Sequence, residues 1–447
     1  MKLSEALIPL LQCPETGESL IVSDEALTSE KSGVNYPVMR GIPWLNAHPL
    51  HSMVDWSVKL NHFHTVVGEE IEQLNYEIQQ AENQTRQRLQ LLLTGKTQFL
   101  QQVSDLVSVI TTTKVASKPV YDALSDRAPS TQNLLSYEAN LYRDWVWGDE
   151  ENELSKNLVV DKISKTTIEN MLVIGAGSCR LAYDLHQALK PQNTIANDIN
   201  PLLLFSAERV LFGDGLEITE FPMQPRQLEN VALTHQIQAA ADPGDNFHLL
   251  FSDACKPSLK AGSCDLVITP WVIDIQPFEL GLFLDAINHY LPIGGSWINF
   301  GSLVFNQARD AYCYSVEEVK DIARNSGFDI EELSEHEIPY LKSPYNAGWR
   351  VENIWCWRAV KKSDAKQQRD LQNLPDWLLD PAKVIPANQE ITNFAFSHQT
   401  YAEIAGYIDG KHSLERIGRK FARKHKMDEQ EAIAMIKNFY MSMLNLQ

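Results

Sequence analysis

Five short apolar runs punctuate the middle of the chain, at 171–175, 194–197, 248–252, 265–269 and 296–300, and helical spacing of apolar residues fills the intervals. Strands recurring with helices between them predict βαβ units and a parallel sheet. The flanks have other textures. Residues 1–50 hold short apolar runs and end on Tyr36-Pro37-Val38-Met39-Arg40-Gly41-Ile42-Pro43-Trp44-Leu45, where prolines around a glycine with aromatics on either side suggest a small β module. Residues 55–110 are rich in Glu, Gln and Leu and lack proline, and Ile71, Leu74, Ile78 and then Leu89, Leu92, Leu93 recur at helical spacing. Two long helices are expected there, as a packing or dimerising pair. A charged linker follows Lys361, and beyond Leu374 come a turn at Asp409-Gly410 and two amphipathic helices. The pattern predicts a doubly wound α/β domain over 131–362, flanked by a β module (1–50), a helical segment (51–130) and a C-terminal domain (363–447).

A chain of 447 residues exceeds one ordinary core, in line with this division. The net charge is −19, from 39 basic and 58 acidic residues, so nucleic acid and anionic membranes are not expected as partners. The basic stretch 416–426 is the local exception. It reads as a solvated face that could also grip an acidic peptide. Six cysteines are scattered without a CxxC pair, which argues against a disulfide framework or zinc site and suits a reducing cytoplasm. The first apolar run is too short for a signal peptide and no later one reaches spanning length, so the expected location is cytoplasmic.

Candidate chemistry starts at the first apolar run. Met171-Leu172-Val173-Ile174 leads into Gly175-Ala176-Gly177-Ser178-Cys179-Arg180, a strand, a glycine turn and a helix start. Glycines allow a sharp turn and close approach of the backbone to a ligand. Nicotinamide and flavin folds use similar turns, but Cys179 stands where a third glycine would pack a helix beneath a pyrophosphate. The next strand ends on Asn197-Asp198, about twenty residues on, where a carboxylate can accept both ribose hydroxyls. The following one ends on Ser252-Asp253-Ala254, where methyltransferases commonly set an acidic residue against the adenine amine. No phosphate-binding lysine accompanies the turn. The set therefore suits S-adenosylmethionine in a Rossmann-like methyltransferase sheet, with Gly175, Gly177, Asp198, Asp253 and Ala254 as contacts. An acidic chain also tolerates a sulfonium cation.

Several segments carry a closer resemblance. Leu141-Tyr142-Arg143-Asp144-Trp145, the run Gly175 to Tyr183, Asn197-Asp198, Pro243-Gly244-Asp245-Asn246-Phe247, Val272-Ile273-Asp274 and Trp297-Ile298-Asn299-Phe300-Gly301 resemble the carnosine N-methyltransferase family. That family methylates an imidazole nitrogen in a histidine-containing dipeptide. The resemblance implies that Arg143 and Trp145 lie over the cofactor, that Arg180 follows its turn, and that Asp274 is the active-site aspartate. Asp274 would accept a hydrogen bond from the acceptor N–H and stabilise the charge that develops during attack; capping of the next helix is the competing role. Positions that would line the acceptor pocket depart from the family: Asn306 replaces a histidine, and Trp349 and Arg350, with Tyr345 nearby, replace tyrosines. Trp271 and Trp349 are the tryptophans expected near a substrate ring. His186, His235, His248 and His289 lack ligand spacing and read as structural.

The flanking pieces carry resemblances of their own. Leu10-Leu11-Gln12-Cys13-Pro14 with residues 36–45 is similar to the zinc-ribbon-like activators of methyltransferases, without the second cysteine, so a metal-free module is expected. Residues 407–417, with the helix that follows, resemble the pyrroloquinoline-quinone peptide chaperone, a winged-helix-like fold that captures a precursor peptide. The leading expectation is N-methylation of an imidazole-type nitrogen in a peptide or modified precursor peptide. O- or N-methylation of a small natural product, and a non-catalytic cofactor-binding scaffold, remain open beside it.

Overall fold

The structure, a computed structural model, describes residues 3–23, 26–47, 49–110, 133–164, 167–276, 279–307, 310–365, 399–407 and 412–443. Residues 111–130 of the expected helical segment, 366–368 of the linker and the Asp409-Gly410 turn lie outside them. Seven strands form the central sheet: β5 (Asn170–Ile174), β6 (Asn193–Asp198), β9 (Phe247–Phe251), β10 (Leu266–Pro270), β11 (Ser296–Gly301), β12 (Phe328–Tyr340) and β13 (Arg350–Lys361). Their order is β12-β13-β11-β10-β5-β6-β9, parallel from β11 to β9 with β12 and β13 antiparallel at the other side. This is a doubly wound, Rossmann-like sheet. Chain order reverses between β5 and β10, and a ligand crevice opens beyond the strand ends at such a switch point.

Both faces of the five parallel strands are covered, so their residues are almost all buried and mostly apolar, whereas β12 and β13 carry many exposed polar positions. Met171, Val173, Ala196, Ile268 and Ile298 face one core, while Leu172, Ile174, Ile195, Leu250, Val267 and Trp297 face the other. The two long helices, α1 (Pro49–Gln80) and α2 (Asn83–Leu106), bury Trp56, Leu60, Phe63, Phe99 and Val103 in the first core. The β module is a four-stranded sheet, β1 (Ile21–Val22), β2 (Ala26–Thr28), β3 (Asn35–Met39) and β4 (Ile42–Pro43). Its Leu7, Leu11, Cys13, Tyr36 and Leu45 belong to the second core. Both flanking elements thus share the interior of the catalytic sheet, and contacts divide the chain into Met1–Arg369 and Asp370–Gln447.

An inserted hairpin, β7 (Leu216–Glu220) and β8 (Leu233–Ile237), precedes β9. In the second unit, α9 (Leu414–His425) starts on a Ser413 cap and packs on α10 (Glu429–Met443) around Ile417, Phe421, Ala432 and Ile436. A Cβ on Gly418 would come within 2.3 Å of the Ile433 side chain, so glycine permits that close crossing. The other helices used below are α3 (Glu138–Tyr142), α4 (Asp149–Val160), α5 (Arg180–Leu189), α6 (Pro201–Phe212), α7 (Leu280–Tyr290) and α8 (Val316–Asn325). Among the described residues no helix is long and apolar enough to cross a membrane.

Candidate active site

The chain leaves β5 through three left-handed residues, Gly175 (φ 72°), Gly177 (φ 57°) and Cys179 (φ 67°), before α5 begins. Left-handed backbone is routine for glycine and costs other residues about 1–2 kcal/mol. Gly175 is also crowded: a Cβ there would meet Val272 Cγ2 at 2.9 Å. Above Gly177 nothing lies within 4 Å, so the turn faces open space. Cys179 holds its strained conformation with a fully buried side chain, serving as a packing residue where glycine was the expected one.

Asp198, at the end of β6, is buried beside this space. Its Oδ2 accepts the Gly177 N–H at 2.7 Å and its Oδ1 the Asn200 N–H at 2.8 Å. Burial pushes its pKa up, against the pull of the Asn200, Gly177 and Ile199 N–H groups. Among the described residues no cation pairs with it. A buried carboxylate with spare lone pairs, next to an open glycine turn, fits the paired hydroxyls of a ribose. Asp253 stands one strand further on, with burial raising its pKa and the Cys255 N–H on its Oδ1 at 2.9 Å. Asn197 ties the two strand ends together, donating to Ser252 Oγ at 2.6 Å and Ser252 O at 3.1 Å.

The π-helical turn Arg143–Trp147 braces the glycine turn from outside. Asp144 accepts Arg143 Nε at 2.8 Å and Nη2 at 2.6 Å on Oδ1, and the Ser178 hydroxyl at 2.5 Å on Oδ2. Trp145 Nε1 donates to Ser178 O at 2.9 Å. Arg180 Nη1 donates to Asp144 O at 2.6 Å, and its Nε binds Asp184. Arg143 and Arg180 therefore meet at Asp144 and Trp145 at Ser178, and Asp144 and Ser178 are themselves joined. Asp144 is the residue that sequence reasoning passed over, although it lies inside the quoted segment. Its acidity next to Arg143 was the available signal.

Asp274 lies beyond β10, on the other side of the switch point. Its Oδ2 accepts the Val304 N–H at 2.9 Å and the Ser302 hydroxyl at 3.3 Å. Burial raises its pKa, opposed by the Val304 N–H, so ionisation falls closer to neutrality than for an exposed aspartate. Trp271 packs on Tyr340 with centroids 5.0 Å apart, and Arg350 lies 4.4 Å over the same Tyr340 ring. Tyr137 stands near both carboxylates. Its backbone is left-handed (φ 64°), Asn200 Nδ2 holds the preceding carbonyl at 3.2 Å, and its phenol is in electrostatic range of Asp198, Asp274 and Tyr340. The two carboxylates stand on either side of β5 and both lie within electrostatic range of the Tyr137 phenol. Neither tyrosine had a sequence signal, because isolated aromatics in a turn and at a strand end have no periodic context.

The remaining pocket candidates separate. Asn306 and Trp349 are exposed, as are Met223, Val304 and Val351. Tyr345 turns to a different group, its ring 6.2 Å from that of His235. His235 Nε2 is 2.7 Å from Glu220 Oε2, and Trp147 Nε1 donates to Glu220 Oε1 at 3.2 Å. Nearby, burial pushes the Glu138 carboxyl up to about 7, while the Tyr142 hydroxyl at 2.7 Å pulls the other way. The β7–β8 hairpin reaches this loop through Met223 N–H to Asn346 Oδ1 at 2.6 Å and Ala347 N–H to Met223 O at 3.1 Å.

Comparison with known proteins bears on this geometry. The model of the carnosine N-methyltransferase family matches residues 127–352. The carnosine N-methyltransferases of Mus musculus and Rattus norvegicus are each 25% identical over 195 residues, covering 40% of this chain and 48% of theirs. The chain spans about half the length of these curated relatives. Among solved structures, the N-methyltransferase NodS from Bradyrhizobium japonicum in complex with S-adenosyl-l-homocysteine aligns at 15% identity and a TM-score of 0.33, over 52% of this chain and 98% of its own. A Haemonchus contortus phospholethanolamine N-methyltransferase 2 complex aligns at 15% and 0.36, over 53% and 61%.

Proposed function

The chain belongs to the carnosine N-methyltransferase family, and we propose that it transfers a methyl group from S-adenosylmethionine to an imidazole-type nitrogen in a peptide or modified precursor peptide. The observation that carries this reading is the pair of buried carboxylates, Asp198 and Asp274, set on either side of the switch-point strand β5 with the open Gly177 turn beside Asp198. Asp198 and the Gly177 turn would hold the ribose, and Asp253 the adenine amine. The cofactor supplies an activated methyl on a good leaving group. What remains for the protein is alignment and charge.

Asp274 provides both. Its Oδ2 is fixed by Val304 and Ser302, so the carboxylate is held in one orientation without help from the acceptor. The acceptor N–H donates to it while the opposite ring nitrogen attacks the methyl carbon. Positive charge developing on the ring is met by the carboxylate, which takes the N–H proton as the methylated ring returns to neutrality. Trp271 and Tyr340 offer faces against which a flat ring can lie. The exposed apolar side chains Met223 (62%), Val304 (62%), Val351 (54%) and Trp349 (51%) suit an acceptor large enough to cover apolar surface, as a peptide is.

Calorimetric titration with S-adenosylhomocysteine tests the cofactor half. Micromolar binding by the wild type, lost in Asp198→Ala, is expected. Methyl transfer to histidine-containing peptides, abolished by Asp274→Asn with cofactor affinity retained, tests the rest. Full turnover by Asp274→Asn would remove the role given to this carboxylate.

A further inference from the structure

The loop that carries Asp253 is held from outside by the N-terminal β module. At its start, β9 is the edge strand of the central sheet, and Trp44 and Leu45 lie alongside its last residue. The Leu45 N–H donates to Phe251 O at 2.8 Å, and the Trp44 ring stacks on Phe251 with centroids 3.6 Å apart. At the far end of the loop, Leu11 pairs with Leu259, the Gln12 N–H donates to Ser258 O at 2.9 Å, and Lys260 N–H donates to Leu10 O at 2.9 Å. Gln12 Nε2 adds a bond to Pro257 O at 3.0 Å, and Lys260 Nζ one to Pro9 O at 2.7 Å. The module therefore grips residues 251 and 257–260, the two ends of a loop that carries Asp253 near its start.

The inner side of the same loop is bonded to the ribose end of the crevice. Ser252 N–H donates to Asp198 O at 3.3 Å, and Ser258 Oγ to Ser252 Oγ at 2.9 Å. Leu11, Cys13, Leu45, Cys255 and Leu259 pack in one core, so the module and the loop cannot shift independently without opening it. A loop between two strand-like anchors has far less freedom than one tethered at a single strand end.

We propose that residues 3–47 are a built-in positioning module of the cofactor crevice, which sets Asp253 against the adenine amine by clamping both ends of the loop 252–259. The proposal rests on the cofactor reading above. Leu45, Trp44 and Gln12 are positioning residues, since none is placed against the ligand itself. The module covers the sheet edge as well, and the test must separate that structural benefit from the proposed one.

The full chain is titrated with S-adenosylhomocysteine and with S-inosylhomocysteine, in which a carbonyl replaces the adenine amine. Wild type, Gln12→Ala and Trp44→Leu are compared, with amide exchange followed across 252–260. The wild type is expected to favour the adenine ligand by about tenfold or more. In both variants that preference should collapse towards unity, through weaker adenine binding with the inosine ligand within about twofold, and the loop amides should exchange faster. Gln12→Ala removes the side-chain bond to Pro257 O at the loop's far end, together with the contact to His289 Nε2 at 3.3 Å, and keeps the readout if Trp44→Leu fails to fold. Equal weakening of both ligands, or an undiminished preference, overturns the proposal. If the wild type binds neither ligand, the cofactor reading falls and takes the proposal with it.

Discussion

Replacing Asp144 by alanine tests the buttress beneath the cofactor turn. Asp144 is 4% exposed, and its two oxygens take the bidentate Arg143 guanidinium and the Ser178 hydroxyl. Removing one partner of a buried ion pair typically costs about 3–5 kcal/mol, because the other charge stays buried and unmet. Here Glu151 Oε1 remains 3.4 Å from Arg143 Nη1 and supplies part of the missing charge. The expected loss is therefore near the lower end, about 3 kcal/mol, or roughly 150-fold in the unfolding equilibrium. Denaturant unfolding followed by tryptophan fluorescence reads it directly. Pairing the change with Arg143→Met removes the stranded guanidinium, so the double variant should lose at least about 1.5 kcal/mol less than the sum of the singles. A loss below about 1 kcal/mol for Asp144→Ala, or simple additivity, would refute the reasoning. S-adenosylhomocysteine affinity should fall as well, since Ser178 loses its anchor.

Three further outcomes follow from the same geometry. Gly175→Ala and Gly177→Ala both place a side chain at positive φ, yet only Gly175 has Val272 within 2.9 Å; thermal unfolding should show the larger loss for Gly175→Ala, by about 1–3 kcal/mol, whereas Gly177→Ala should mainly weaken S-adenosylhomocysteine. Turnover should fall with acidity as Asp274 protonates, at a pH above the ordinary aspartate range because burial raises its pKa; Ser302→Ala, which removes a hydrogen bond to the carboxylate, should move that limb upward, and an unmoved profile would count against Asp274 as the titrating group. Glu138 binds its proton more tightly in the folded chain, so stability should decline as pH rises from its ordinary value of 4.5 to about 7; Glu138→Gln should flatten that stretch of the stability–pH curve.

What the sequence determined by itself is what repeats or lies close along the chain. Short apolar runs such as 171–174 and 249–251 announced strands buried on both faces, since such strands carry mostly apolar side chains on both sides. The glycine turn, Asp198 and Asp253 could be placed because each follows a strand end at a spacing that one βαβ unit dictates. Asp274 entered through resemblance, and the structure puts it across the switch point from Asp198.

Tertiary structure decided whatever depends on distant segments meeting. The Glu220–His235 pair, closed by Trp147 and Tyr345, draws on a hairpin, a π-helical turn and the β12–β13 loop, and no window of sequence contains it. His235 therefore read as an ordinary histidine. Arg143 was placed over the cofactor by resemblance alone, and its pairing with Asp144 and Glu151 emerged only in the fold. Tyr137 depends on a left-handed backbone that its residue type does not favour. The grip of Trp44 and Leu45 on Phe251 is a strand-edge contact, which requires the path of the whole intervening chain. Periodicity and spacing act locally through the backbone, whereas side-chain partners are chosen by the packing of the complete fold.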